Sequence, residues 1–131
     1  MIRIVLIGFG NVAQHLLQAF AQSDAIEVIQ LFARNKEKAS LLLDSTKIID
    51  NLADLKEADL YIIAISDNAI AEVAKQLHFQ NKLVVHTSGS VSIDALCTTN
   101  RKGVFYPLQT FSKNKEVNFK EIPICIETEN L

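Results

Sequence analysis

The residues best equipped for chemistry stand near the start of the chain. Gly8, Phe9, Gly10, Asn11, Val12 and Ala13 spell G-x-G-x-x-A directly after an apolar run. Gly8 permits a tight turn out of a strand, and Gly10, without a Cβ, lets a pyrophosphate approach the backbone. Ala13 is small enough for a helix to pack closely on a sheet. A helix that opens here offers free N–H groups and the positive end of its dipole to phosphates. Phe9, Asn11 and Val12 complete the turn, so residues 8–13 are expected to bind a dinucleotide.

A second group lies at the end of the next apolar run, where Ala33 precedes Arg34, Asn35 and Lys36. A site for NAD usually holds an Asp or Glu there, accepting bonds from the ribose hydroxyls. No acid lies between Gln30 and Lys36. Arg34 can pair bidentately with a 2′-phosphate, Asn35 can hydrogen-bond it, and Lys36 adds charge. Residues 34–38 carry three positive charges and one negative, a sum of +2. NADP (NADPH) is therefore expected over NAD. The missing acid also speaks against S-adenosylmethionine.

Two further groups follow later strands. Ser66 comes just past the fourth and is expected to line the cofactor crevice, since ligands of open α/β sheets bind beyond the strands' carboxyl ends. Asp67 beside it reads as a helix cap. After the fifth strand, His86, Thr87 and Ser88 fall on the same rim, near where a nicotinamide ring would sit. His86 and Ser88 are the catalytic candidates, with His86 donating a proton or orienting a substrate. A strand-end histidine satisfied by neighbouring backbone fits as well. No G-x-S-x-G elbow surrounds Ser88, so a nucleophilic serine is not expected. Tyr106, Gln109 and Thr110 are candidates for facing substrate, against the alternative of an aromatic edge packed under a loop. His15 and His78 read as helix-surface or helix-end residues. No His, Cys or acidic cluster has metal-ligand spacing, and no metal is expected.

The elements that must position these groups follow from periodicity. Ile2–Ile7 is a nearly continuous β-branched and leucine run, suited to a strand buried on both faces. Asn11 can cap the helix that follows, whose Val12, Ala13, Leu16, Leu17 and Phe20 form one apolar face, with His15 and Gln18 opposite. Residues 27–33 read as a second strand, 36–43 as a short helix, 48–49 as a third strand and 60–65 as a fourth. Asp67 can cap a helix carrying Ile70, Val73, Ala74 and Leu77. Residues 83–85 form the fifth strand, 104–106 and 122–126 are weaker strands, and 108–121 read as loop with a little helix. The alternation implies an α/β, doubly wound, mostly parallel sheet with helices on both faces.

Composition agrees. The 131 residues suit one domain, 49% of them are hydrophobic and 21% charged, and the net charge is −2. No basic stripe invites nucleic acid or an anionic membrane, and no apolar run approaches a membrane span. Cys97 and Cys125 form no C-x-x-C pattern and read as reduced thiols, which with the lack of a signal peptide points to the cytoplasm. Thr128 or Asn130 reads as the N-cap of a helix that does not follow, so the chain is expected to be truncated.

Taken together, GFGNVA, the ARN after the second strand and the AISD after the fourth resemble one Rossmann superfamily. It holds pyrroline-5-carboxylate reductase, the 6-phosphogluconate and β-hydroxyacid dehydrogenases and the deazaflavin-dependent NADP reductases. HTSGS and GVFYPLQTFS are most similar to an uncharacterised bacterial group in which a Rossmann-like domain precedes a helical domain. The resemblance implies that Gly8, Gly10, Ala13 and Arg34 bind cofactor, and that Ser66 and residues 86–88 lie beside the nicotinamide. It implies an NADP-dependent oxidoreductase moving hydride to or from a small imine, ketone or hydroxy acid. The alternative is a non-catalytic NADP(H)-binding or sensing module. Relatives complete their substrate pocket and homodimer with a C-terminal helical domain, apparently absent from residues 1–131. Alone, this chain is thus expected to be inactive, with an apolar seam exposed where that domain docks.

Overall fold

A run of β-branched residues can be buried on both faces only at the centre of a sheet, and β1 (Ile2–Ile7) is there in the computed structural model. The structure describes residues 2–41, 43–77 and 82–88, together with the strands at 101–107 and 124–128. β1 pairs in parallel with β2 (Ile26–Phe32) on one side and β4 (Leu60–Ile63) on the other. β3 (Ile48–Ile49) lies outside β2, and β5 (Leu83–His86) outside β4. β6 (Arg101–Pro107) continues the parallel sheet and β7 (Ile124–Thr128) closes it antiparallel. The order β3-β2-β1-β4-β5-β6-β7 is a doubly wound Rossmann sheet, as expected.

Alternate side chains of the strands feed two cores. Ile4, Leu6 and Ile62 pack with Ala13, Leu16 and Leu17 of α1 (Asn11–Ala21) and Ala39 of α2 (Lys36–Ala39). Val5, Ile7, Tyr61 and Ile63 pack with Ile70 and Ala74 of α3 (Asp67–Lys75). Helices therefore cover both faces. The β1–β2 register shifts by one residue after Ile4, leaving Ile29 as the extra residue of β2.

Local boundaries differ from the expected ones for identifiable reasons. Gly10, not Asn11, is the N-cap of α1, and Asn11 is its first helical residue. Ser66, not Asp67, is the N-cap of α3, which leaves Asp67 in the first turn, where a carboxylate favours the dipole. α2 stops at Ala39 instead of running to residue 43, because the Ser40 hydroxyl donates to the Glu37 carbonyl at 2.7 Å and closes the turn. His15 is buried at 4% exposure, not on a helix surface. Residues 15, 16 and 17 are all buried, so α1 is enclosed around more of its girth than one apolar stripe. His78, Cys97, Gln109, Thr110 and the stretch 108–121 lie outside the described residues.

The segment that leads into β4 is tied down by two buried polar side chains. Gln30 of β2 donates from Nε2 to the Asp54 carbonyl at 3.0 Å and accepts the Lys56 N–H at 2.7 Å. The Tyr61 hydroxyl accepts the Ala58 N–H at 3.0 Å and donates to the Lys56 carbonyl at 2.7 Å. Asp59 and Arg3 then exchange backbone and carboxylate bonds that set β4 against β1. Tyr61→Phe leaves a buried N–H and a carbonyl unpaired, an expected loss of about 1–3 kcal/mol, read as a lower urea midpoint at unchanged slope. Burial raises the Tyr61 phenol above its usual value, outweighing the Ala58 N–H bond that lowers it. Its contribution is thus complete below a pH of about 10 and fades as pH rises through the raised folded value. The phenylalanine variant lacks that alkaline fall.

Candidate functional site

The site forms where the strand order reverses, between the carboxyl ends of β1 and β4. Gly8 leaves β1 with φ +117°, a conformation L side chains rarely adopt. A Cβ on Gly8 would lie 2.3 Å from the Ala64 carbonyl oxygen and 2.6 Å from Cγ2 of Ile65. The Gly8 N–H is held by the Phe32 carbonyl at 2.9 Å. Gly8 is thus fixed on three sides by the protein itself.

Gly10 is different. Its φ of −80° is open to any residue, and a Cβ there would meet nothing within 4 Å. The space over its Cα is therefore free for a ligand. No side chain caps α1, and no acid stands in its first turn. The helix start presents its amides and positive dipole end outward. Phe9 and Val12 pack against the α1 core, and Ala13 lies fully inside it. The Phe9 carbonyl is taken by Gln14 Nε2 at 3.1 Å, which steadies the turn. A dinucleotide's pyrophosphate fits this cradle.

The charged end of the crevice follows β2. Arg34 and Lys36 are exposed, and Arg34 has no ion pair among the described residues. Asn35 caps α2, its Oδ1 accepting the Lys38 N–H at 3.1 Å. That bond assigns the outward end of the amide to Nδ2, a donor suited to an anion. Lys36 Nζ lies 3.9 Å from Oδ1 of Asp50, which comes directly after β3. Sequence reading did not place this acid, because the two residues meet only through the sheet order.

The opposite end carries hydroxyls, His86 and the Asp67 carboxylate at the start of α3. Ser66 is exposed at the start of α3, just past the Ala64–Ile65 backbone that Gly8 touches. Thr87 is buried and Ser88 half-buried. His86 is fully enclosed, and its Nδ1 accepts the Ser88 N–H at 3.1 Å. The bond ties the ring to the main chain just past the end of β5. Tyr106 lies in β6. Among the described residues, no group of His, Cys, Asp or Glu could hold a metal ion, and no helix is long and apolar enough to cross a membrane.

The model of the family described as NADP oxidoreductase, coenzyme F420-dependent, matches residues 3–89, from β1 through the turn after β5. The chain belongs to this family. A candidate NADP oxidoreductase from Bacteroides fragilis is 37% identical, with a TM-score of 0.84, over 98% of this chain and 52% of that one. A semialdehyde dehydrogenase NAD-binding protein from Cupriavidus necator aligns at 17% identity and TM-score 0.70, over 96% of this chain and 51% of that one. A 1-pyrroline-5-carboxylate reductase from Streptococcus pyogenes aligns at 22% and 0.61, over 81% and 42%. At the two lower identities the likeness concerns fold alone. The chain spans about half the length of the first two. No curated protein sequence matches it. The expected superfamily and nicotinamide-dinucleotide-binding oxidoreductase fold are thus both found.

The two glycines of this family's turn separate stability from binding. Gly8→Ala forces a Cβ into backbone at a positive φ and is expected to cost about 3–5 kcal/mol. Gly10→Ala has room and an ordinary φ, so its melting temperature should stay within about 3 °C of the parent's. Paired thermal melts check both.

Proposed function

We propose that this domain binds NADPH and serves as the cofactor-binding part of an oxidoreductase acting on a small imine, ketone or hydroxy acid. The observation that carries the reading is Gly10. Nothing inside the fold needs a glycine there, while a phosphate seated on the start of α1 does. The Arg34, Asn35 and Lys36 turn supports the 2′-phosphate: a planar fork, an amide donor and a second cation at one strand end. The family description and the Bacteroides relative both name NADP.

Bound there, the nicotinamide supplies or accepts a hydride at its C4. The chain's own residues position it. Gly10 and the α1 amides seat the diphosphate, and Arg34 selects the phosphorylated ribose. Ser66, Thr87 and Ser88 offer hydroxyls along the crevice. His86 acts as a positioning residue, its Nδ1 holding the turn that carries Ser88. Recognition of the rest of the substrate is assigned to a second, helical domain, which also forms the homodimer.

Titrating the chain with NADPH and NADH, followed by nicotinamide fluorescence, tests the reading. A charge-assisted contact to the 2′-phosphate is worth about 1.5–3 kcal/mol, or roughly 10- to 100-fold in affinity. NADPH should win by that margin and Arg34→Ala should erase it. Gly10→Ala should weaken both nucleotides together. Equal affinities in the parent, or no binding of either, would overturn the NADPH assignment.

A further inference from the structure

The acid that residues 30–36 lack is supplied from the neighbouring strand. β2 and β3 pair in parallel, Phe32 beside Ile49, and the Ala33 N–H donates to the Ile49 carbonyl at 3.0 Å. The turn after β2, which carries Arg34 and leads to Lys36 at the start of α2, therefore begins beside the end of β3, where Asp50 follows Ile49. Asp50 Oδ1 reaches to 3.9 Å of Lys36 Nζ, and both side chains are more than half exposed. The backbone register brings the two chain segments together, and the side chains span the remaining gap.

We propose that Asp50 is a specificity-determining residue that competes with the 2′-phosphate of NADPH for Lys36. The proposal rests on the reading of Arg34 and Lys36 as the 2′-phosphate site. A carboxylate at a strand end in this fold favours a ribose diol and disfavours a phosphate. Here it faces a turn that carries the opposite preference. In the free domain Lys36 is engaged by Asp50. A bound 2′-phosphate must draw it away and sit close to the carboxylate's charge. Arg34, unengaged by any ion pair among the described residues, then sets the preference for NADPH, and Asp50 limits its size.

Asp50→Asn, Lys36→Gln and the double variant, each titrated with NADPH and NADH at low ionic strength, form the test. Exposed pairs are worth up to about 1 kcal/mol, so Asp50→Asn should tighten NADPH about 3- to 5-fold and leave NADH within about 1.5-fold. In the Lys36→Gln background the gain should vanish, since the contested cation is gone. An unchanged NADPH affinity in Asp50→Asn overturns the proposal. So does equal tightening of both nucleotides, or a gain that persists without Lys36. A parent preference for NADPH that Arg34→Ala erases, beside an inert Asp50→Asn, sinks this proposal and spares the NADPH reading. Equal affinities in both proteins sink both.

Discussion

The backbone contact between Gly8 and Ala64 is the constraint on which the site depends. It places the exit of β1 directly on the exit of β4, closer than any side chain would allow. The turn must then rise away from the sheet, and α1 begins with its amides facing the gap. Moving β4 by one residue would put a different carbonyl under Gly8 and turn every β4 side chain to the other core. The register is held at the far end of the sheet, where Arg3 meets Asp59 and where Gln30 and Tyr61 fasten the loop before β4. The parallel pairing of β1 with β4 carries that alignment to the crevice. Polar groups remote from any ligand thereby set the geometry of the turn.

The crevice divides by electrostatics. Its middle presents backbone dipoles, which cost no side-chain entropy and would impose no counter-charge on a diphosphate. Its β2–β3 end uses full charges on exposed side chains, where attraction to an anion competes with water and with Asp50. Its β4–β5 end holds hydroxyls and an enclosed histidine bonded to its own turn.

Much of this was legible in the residues. β1, β2, β4 and β5 are apolar runs that make sense only inside a parallel sheet, and Ile70, Val73 and Ala74 mark the core-facing side of α3 at helical spacing, with Leu77 packed on the same core just past its end. The glycine turn and the basic ARNK segment fall at strand ends because those runs end there. The errors share a cause. Asn11 and Asp67 look like caps by type, but cap position is fixed by where the backbone first becomes helical, one residue earlier in both helices. His15 looks polar and outward by type, yet it is buried. Lys36 and Asp50 are fourteen positions apart, and only the pairing of β2 with β3 makes them neighbours. Periodicity reports which face of an element is buried. It does not report which strand lies next to it.

The difference between Gly8 and Gly10 also bears on whether the domain is a scaffold without a ligand. A glycine turn with a purely structural task would need Gly8, because the Ala64 carbonyl leaves no room for a Cβ and φ lies in the region that favours glycine. It would not require Gly10, the N-cap of α1, where a Ser or Asn side chain fits and would add about a few tenths of a kcal/mol as a cap. Forgoing that side chain leaves the α1 amides uncovered. A turn left open in this way keeps its amides available to an anion from outside the fold.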